Sequence, residues 1–423
     1  MTLIRPAPWR LVLLILIFAV MPVEGQVVRK RVVMPRTLEA ALSQPRVRVQ
    51  LRDGHCILEG RPVGSSLGLE GLLPQEGPSL WFEAYLDTGA SSLVVSAATA
   101  QRFTIQSEPG AVYHEVGLHG PNPMQVSRRY TLFVVGAPKG AGLPVRLQIN
   151  PRSPHGLMAL MGEINVVGMP VIQDYLVEID PFATAGADQM KMLKQLEKDL
   201  NLGVDLSMLA MAQSMLGGGT MARLHCAEQR VEGYSYAVPL QMRDFNRYQN
   251  PIDRGPKPTV AANPMVQNVR SETHHGSYIG AWLLDTGAGA SIISKRHAKE
   301  LGLIDDRGQW TRPQDFTLPI GGISGQTKNP PGFTLRRLIV PAVGVDLEFR
   351  DVAVLVYDVR TEMDDGTEVV LDGILGMNLL LPSVSGLSKG LPTVGSEPPF
   401  RRVWIDGPRS YLLLEAMPAT VSR

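Results

Sequence analysis

Two short segments of this chain carry residue types that can activate water. One reads Glu83-Ala-Tyr-Leu-Asp-Thr-Gly-Ala-Ser-Ser-Leu-Val-Val-Ser96, the other Ala281-Trp-Leu-Leu-Asp-Thr-Gly-Ala-Gly-Ala-Ser-Ile-Ile-Ser294. Each sets Asp-Thr-Gly-Ala after an apolar run, and each closes on a serine nine residues after the aspartate (96 − 87 and 294 − 285). Two carboxylates held close together cannot both ionise cheaply, so they share one proton and titrate as a unit. The ionised member can take a proton from water while the protonated member hydrogen-bonds a substrate carbonyl. Amide hydrolysis by that route needs no metal and no covalent intermediate. A lone Asp-Thr-Gly reads as a strand ending in a turn, because Asp and Gly are ordinary turn residues. Two copies in matched contexts make Asp87 and Asp285 the candidate catalytic pair.

Two further markers repeat in the same order. An apolar-apolar-Gly-Met unit follows each aspartate, as Val166-Val167-Gly168-Met169 and as Ile374-Leu375-Gly376-Met377-Asn378-Leu379-Leu380. A third echo closes each half, Leu176-Val177-Glu178-Ile179-Asp180 and Arg402-Val403-Trp404-Ile405-Asp406.

In these residues the chain resembles the retropepsin and pepsin clan of aspartic peptidases. The second half is similar to a retroviral protease monomer: Leu283 to Ala288 resembles the catalytic loop, Ile320-Gly321-Gly322-Ile323-Ser324-Gly325 the glycine-rich flap, and Ile374 to Leu380 the segment packed behind the loop. In the first half, Val116-Gly117-Leu118-His119-Gly120 is the best flap candidate. The resemblance implies a mainly β, bilobal acid-protease fold of two pseudo-symmetric, barrel-like lobes. With both halves in one chain, a monomer would be complete, needing no cofactor and no metal. It also implies an extended peptide or protein substrate, with Gly117, Gly120, Gly321, Gly322 and Ile323 as flap and substrate-binding candidates. Gly89 and Gly287 let the backbone come close to the carboxylates, and the resemblance has that backbone donate an N–H to them. Thr88 and Thr286 would cross-link the two loops, since a buried hydroxyl must find a partner. Ala90 and Ala288 stand where pepsins usually carry Ser or Thr. Without that hydroxyl the charged form loses a hydrogen bond, which predicts an activity optimum at mildly acidic pH.

The elements that must position these residues are strands. Of 423 residues 44% are hydrophobic and 19% charged, with 42 glycines and 33 prolines, a mix that favours short strands and turns around a real core. Leu80 to Leu86, Tyr130 to Val135, Leu143 to Ile149 and Tyr175 to Ile179 are strand runs. Between the halves, Leu193, Leu196 and Leu200, then Met208, Met211 and Met215, recur at helical spacing until Gly217-Gly218-Gly219 stops them. The predicted domains are therefore a first lobe over 47–181, a helical insertion over 182–229, a second lobe over 230–417 and a tail over 418–423. The Pro-rich stretch Asn250 to Pro264 is expected to be a surface loop, and His274 and His275 turn residues ahead of a strand.

Arg5 and Arg10 precede the apolar run Leu11 to Val20, which reads as a secretory signal over 1–25. The run is short for a membrane span, which needs about 20 residues. Export to the periplasm or beyond is the expectation, with an uncleaved anchor as the alternative. Residues 26–46 form a basic arm that could be a propeptide, an edge strand or a lead-in. The formal net charge of +1 gives no electrostatic case for nucleic acid. Cys56 and Cys226 could pair after export. Their His-Cys dipeptides lack the usual zinc-ligand spacing.

Three rival readings remain open: a catalytically silent peptide-binding module, a two-carboxylate glycosidase and a serine hydrolase. A glycosidase would hold its carboxylates about 5 to 9.5 Å apart across a sugar, and the few aromatic residues offer little stacking surface. No Gly-x-Ser-x-Gly elbow is present for the serine reading.

Overall fold

A computed structural model describes residues 29–41, 44–52, 55–58, 81–117, 120–134, 142–152, 163–181, 222–245, 250–322, 327–362, 367–386, 393–394 and 398–417. The expected signal segment, most of the helical insertion, Ile323 and the tail beyond residue 417 lie outside them. The fold is mainly β, in two lobes. In the first lobe the strands run His55–Leu58, Arg46–Arg52, Trp81–Leu86, Val166–Val167, Leu93–Ser96, Leu143–Asn150, Gly120–Val134 and Ser107–Gly117. His55–Leu58 also pairs in parallel with Gly120–Val134, which curls the sheet back on itself. In the second lobe, Ser277–Leu284 and Ser291–Ile293 flank Gly373–Leu375, and the long hairpin Pro331–Ala342 and Val345–Val356 closes the far side.

Each repeated marker has a matching place. Val166–Val167 runs parallel to the strand that delivers Asp87 and antiparallel to the one that follows it. Gly373–Leu375 does the same around Asp285. The serine nine residues after each aspartate caps a short helix. Ser96 accepts from the Thr99 N–H ahead of helix Ala97–Arg102, and Ser294 from the His297 N–H ahead of helix Lys295–Glu300. The closing echoes pair with each other, Leu176 opposite Asp406 and Ile179 opposite Val403. They form the middle of a five-stranded sheet that fastens lobe to lobe. One continuous core runs through both lobes and includes Leu86, Leu284, Trp282 and Phe333. Burying a side chain of that size contributes roughly 1.5–3 kcal/mol.

Two features depart from the sequence-based expectation, and the structure decides one choice that the sequence left open. Ala222–His225, which falls within the predicted insertion over 182–229, is a strand on Leu176–Ile179. The basic arm is an edge strand of the second lobe. Lys30–Val33 runs parallel to Val345–Val356, where Arg29 meets Asp346 at 3.1 Å and Arg31 meets Glu348 at 3.6 Å. Those pairs account for Arg29 and Arg31, although ion pairs with a solvent-exposed partner add little stability. The Pro-rich stretch is a seam between the lobes rather than a plain surface loop. Arg254 and Val112 exchange both backbone hydrogen bonds at 2.9 Å, the Ala261 N–H donates to the Ser91 carbonyl, and Asn263 and Pro264 already belong to a strand. Among the described residues no helix is long and apolar enough to cross a membrane.

Candidate active site

Both aspartates leave their strands at the same kind of junction. The Asp87 N–H donates to the Val167 carbonyl at 3.0 Å and the Asp285 N–H to the Leu375 carbonyl at 3.1 Å. The loop then turns so that its amides face its own carboxylate. Oδ1 of Asp87 accepts from the Gly89 and Ala90 N–H groups at 2.7 and 3.0 Å, and Oδ1 of Asp285 from Gly287 and Ala288 at 2.8 and 3.0 Å. The Gly-Met segments support each loop from behind. Met169 donates to Ala90 and Met377 to Ala288, and a Cβ on Gly168 or Gly376 would lie 2.2 to 2.4 Å from the loop backbone it supports.

The two loops meet across a pseudo-twofold axis. The hydroxyl of Thr88 donates to the Leu284 carbonyl and that of Thr286 to the Leu86 carbonyl, each at 2.6 Å. Each hydroxyl also accepts the backbone N–H of the other threonine, at 3.0 and 3.1 Å. Inside this frame the carboxyl of each aspartate packs against the other loop's glycine. A Cβ on Gly89 would sit 2.6 Å from the Asp285 carboxyl, and one on Gly287 would sit 2.4 Å from that of Asp87, so only glycine admits the opposing carboxyl. Burial raises both carboxyls above the ordinary range, and the neighbouring Asp87 charge raises Asp285 further. The pair therefore holds a proton at pH values where isolated carboxylates have lost theirs.

The glycine-rich segments are hairpins of unequal size. Gly117 pairs with Gly120 at the end of the long hairpin Ser107–Gly117 and Gly120–Val134. Gly321 pairs with Thr327 in a short one, and Gly322 follows. A cleft beside the first loop is lined by Gly89, Tyr113, Glu115, Asn263 and Leu283 among others, and by none of Gly117, Gly120, Gly321 and Gly322.

Two carboxamides that the sequence pattern did not single out hold the loops. Arg46 lies opposite Tyr85, which puts Gln44 opposite Asp87; Met265 lies opposite Leu283, which puts Asn263 opposite Asp285. Each reaches the other lobe's loop. Gln44 Nε2 donates to the Gly287 carbonyl, and Asn263 Nδ2 to the Thr88 and Gly89 carbonyls at 3.0 and 3.1 Å. Their shared signal is position, each standing just before or at the start of the strand that pairs with an aspartate-bearing strand. Among the described residues no three metal-ligating side chains converge.

Residues 275–379 match the family model described as Aspartyl protease, a span that holds Asp285, Gly321, Gly322 and the Gly376-Met377 support. No curated protein matches the chain.

Proposed function

With residues 275–379 forming an aspartyl protease domain of the retropepsin-like clan, we propose that the chain is an endopeptidase whose Asp87 and Asp285 activate water against a peptide bond. A protease domain implies peptide substrates. The observation that carries the reading is the approach of each loop's glycine to the other loop's carboxyl, with each loop fixed by the other's threonine. A water seated on the pair loses its proton to the ionised carboxylate as it attacks the carbonyl carbon. The protonated partner donates to the carbonyl oxygen, so charge is neutralised where it develops. The Gly89, Ala90, Gly287 and Ala288 amides keep the carboxylates fixed and leave their outer oxygens for water and substrate. The hairpin ends at Gly117–Gly120 and Gly321–Gly322 would close over an extended peptide and exclude bulk water.

Both carboxylates come from one chain, which fits a monomer as the working unit. The basic residues Arg5 and Arg10 ahead of Leu11 to Val20 favour action outside the cytoplasm. Digestion of a peptide library between about pH 3 and 8 tests the hydrolytic reading. Cleavage that a statine peptide blocks, and that Asp87→Asn and Asp285→Asn each abolish, is the expected result. Binding of the statine peptide without turnover would favour the silent peptide-binding module instead.

A further inference from the structure

The inner face of the long hairpin changes character toward its end. Ala111 and Tyr113 on one strand, and Met124 and Val126 on the other, are buried apolar residues, whereas Pro123 and Gln125 between them are exposed. The next inward pair is polar: Glu115 lies directly opposite Asn122. Asn122 is 1% exposed, yet among the described residues neither its amide oxygen nor its nitrogen has a partner. Native interiors rarely leave such a group unpaired.

Glu115 is half-buried at the cleft and held in place. Its Oε2 accepts from Gln148 Nε2 at 2.6 Å, and that nitrogen also donates to Ser92 Oγ at 2.6 Å. The Gln148 Oε1 is a second buried acceptor without a partner among the described residues. No described cation forms an ion pair with Glu115. The nearby histidine, His114, is engaged by Asp253 at 3.0 Å, and Arg360 on the opposite wall is paired with Glu368. Burial and the Asp87 charge hold the Glu115 carboxyl up to about 7. A carboxylate in that position gains from a cation brought by a ligand, while an acidic ligand group would meet Glu115 and the catalytic pair together.

We propose that Glu115, Asn122 and Gln148 form a subsite that takes a lysine side chain of the peptide next to the scissile bond. The inference rests on the peptidase reading and adds a substrate class to it. An ammonium has three donors and no acceptor. The Glu115 carboxylate and the amide oxygens of Asn122 and Gln148 are three acceptors, two of them otherwise unused. The apolar residues that precede Glu115 on the same face, Tyr113 and Met124, would lie along the aliphatic stem.

The test is binding, which does not depend on turnover. Statine-type peptides in which a hydroxyethylene replaces the scissile amide, carrying either lysine or the shorter, uncharged norleucine at the residue on either side of that bond, are titrated calorimetrically into the full chain at one pH just above the Glu115 titration at about 7. The expected result is that lysine in one of the two positions binds about ten-fold tighter than norleucine, as for a charge-assisted hydrogen bond. That preference should shrink below about three-fold in Glu115→Gln. Equal binding of lysine and norleucine at both positions, or a preference that survives Glu115→Gln, would overturn the subsite while leaving the peptidase reading intact. Failure of every statine peptide to bind would overturn both. The wild-type comparison decides by itself should Glu115→Gln not fold.

Discussion

Thr88 and Thr286 are each the donor and the acceptor that the other lobe's loop requires. Each hydroxyl donates to a carbonyl in the opposite strand and accepts the other threonine's N–H, and both residues are fully buried. Replacing either by valine keeps the shape and orphans one buried carbonyl and one buried N–H. Each orphan costs about 1–3 kcal/mol. Thr88→Val and Thr286→Val should therefore each lower unfolding stability by about 2–6 kcal/mol. Serine in the same place should restore most of it. Denaturant unfolding checks this, and a valine variant within about 1 kcal/mol of wild type would show that the cross-link does not hold the lobes together.

The carboxamides opposite the aspartates predict a kinetic effect. Asn263→Ala removes the donor to the Thr88 and Gly89 carbonyls and, with Asn263 only 2% exposed, changes little of the cleft surface it lines. Asn263→Asp also places an acceptor against two acceptors. Misplacing a catalytic group lowers the rate of the chemical step more than it weakens binding. We expect kcat to fall about ten-fold in the alanine variant and further in the aspartate variant, with KM changed less than about three-fold. Gln44→Ala should act in the same direction through Gly287. A change confined to KM would sink the positioning role.

The parts of the site that were legible in the sequence are those whose chemistry is local. Asp-Thr-Gly-Ala, the capping Ser96 and Ser294, and the Gly-Met supports each do their work within a few residues of their own strand, so a short motif records them. Gln44 and Asn263 act across lobes. Asn263 reaches Thr88 from 175 positions away, and only strand register brings it there. A single Asn or Gln has no local pattern that distinguishes it from a turn residue. The arm had three possible fates because Lys30–Val33 lacks a hairpin partner nearby and pairs instead with Val345–Val356. Ala222–His225 follows three glycines and carries too few residues for its alternation to show, so its place beside Leu176–Ile179 required the tertiary fold.

The loop alanines bear on the pH profile. Ala90 and Ala288 donate only their backbone N–H groups to the carboxylates. Burial raises both carboxyls, so the pair keeps its shared proton, and with it activity, into the mildly acidic range. Activity should fall as pH rises through the higher titration of the pair. Ala288→Ser adds a hydroxyl donor that favours the charged form, which lowers that titration and moves the alkaline limb to lower pH. The pH–rate profiles of wild type and Ala288→Ser on one peptide check this. A wild-type peak in the strongly acidic range, or a limb that moves to higher pH in the serine variant, would contradict it.

His297 sets a stability limit on the acid side of that profile. It is fully buried between Tyr278 and Trp282. Its Nδ1 faces the Asp372 carbonyl at 3.0 Å, so Nδ1 carries the proton and donates, leaving Nε2 to accept from the Ser271 hydroxyl at 2.5 Å. Burial lowers its folded titration from 6.5 to about 4. Between those values the unfolded chain binds a proton that the folded chain refuses. The stability this neutral histidine contributes is full above about pH 6.5 and is lost as pH falls through about 4. The loss amounts to at most about 3.5 kcal/mol, on the order of 1.4 kcal/mol per unit. The aspartate pair has the opposite sign, since its raised titration favours the fold at low pH, so wild-type stability alone does not isolate the histidine. His297→Gln has no proton to gain, and the difference in unfolding free energy between it and wild type should shrink steadily from pH 6.5 to 4. A difference that stays constant across that window would mean that His297 is already charged in the folded chain.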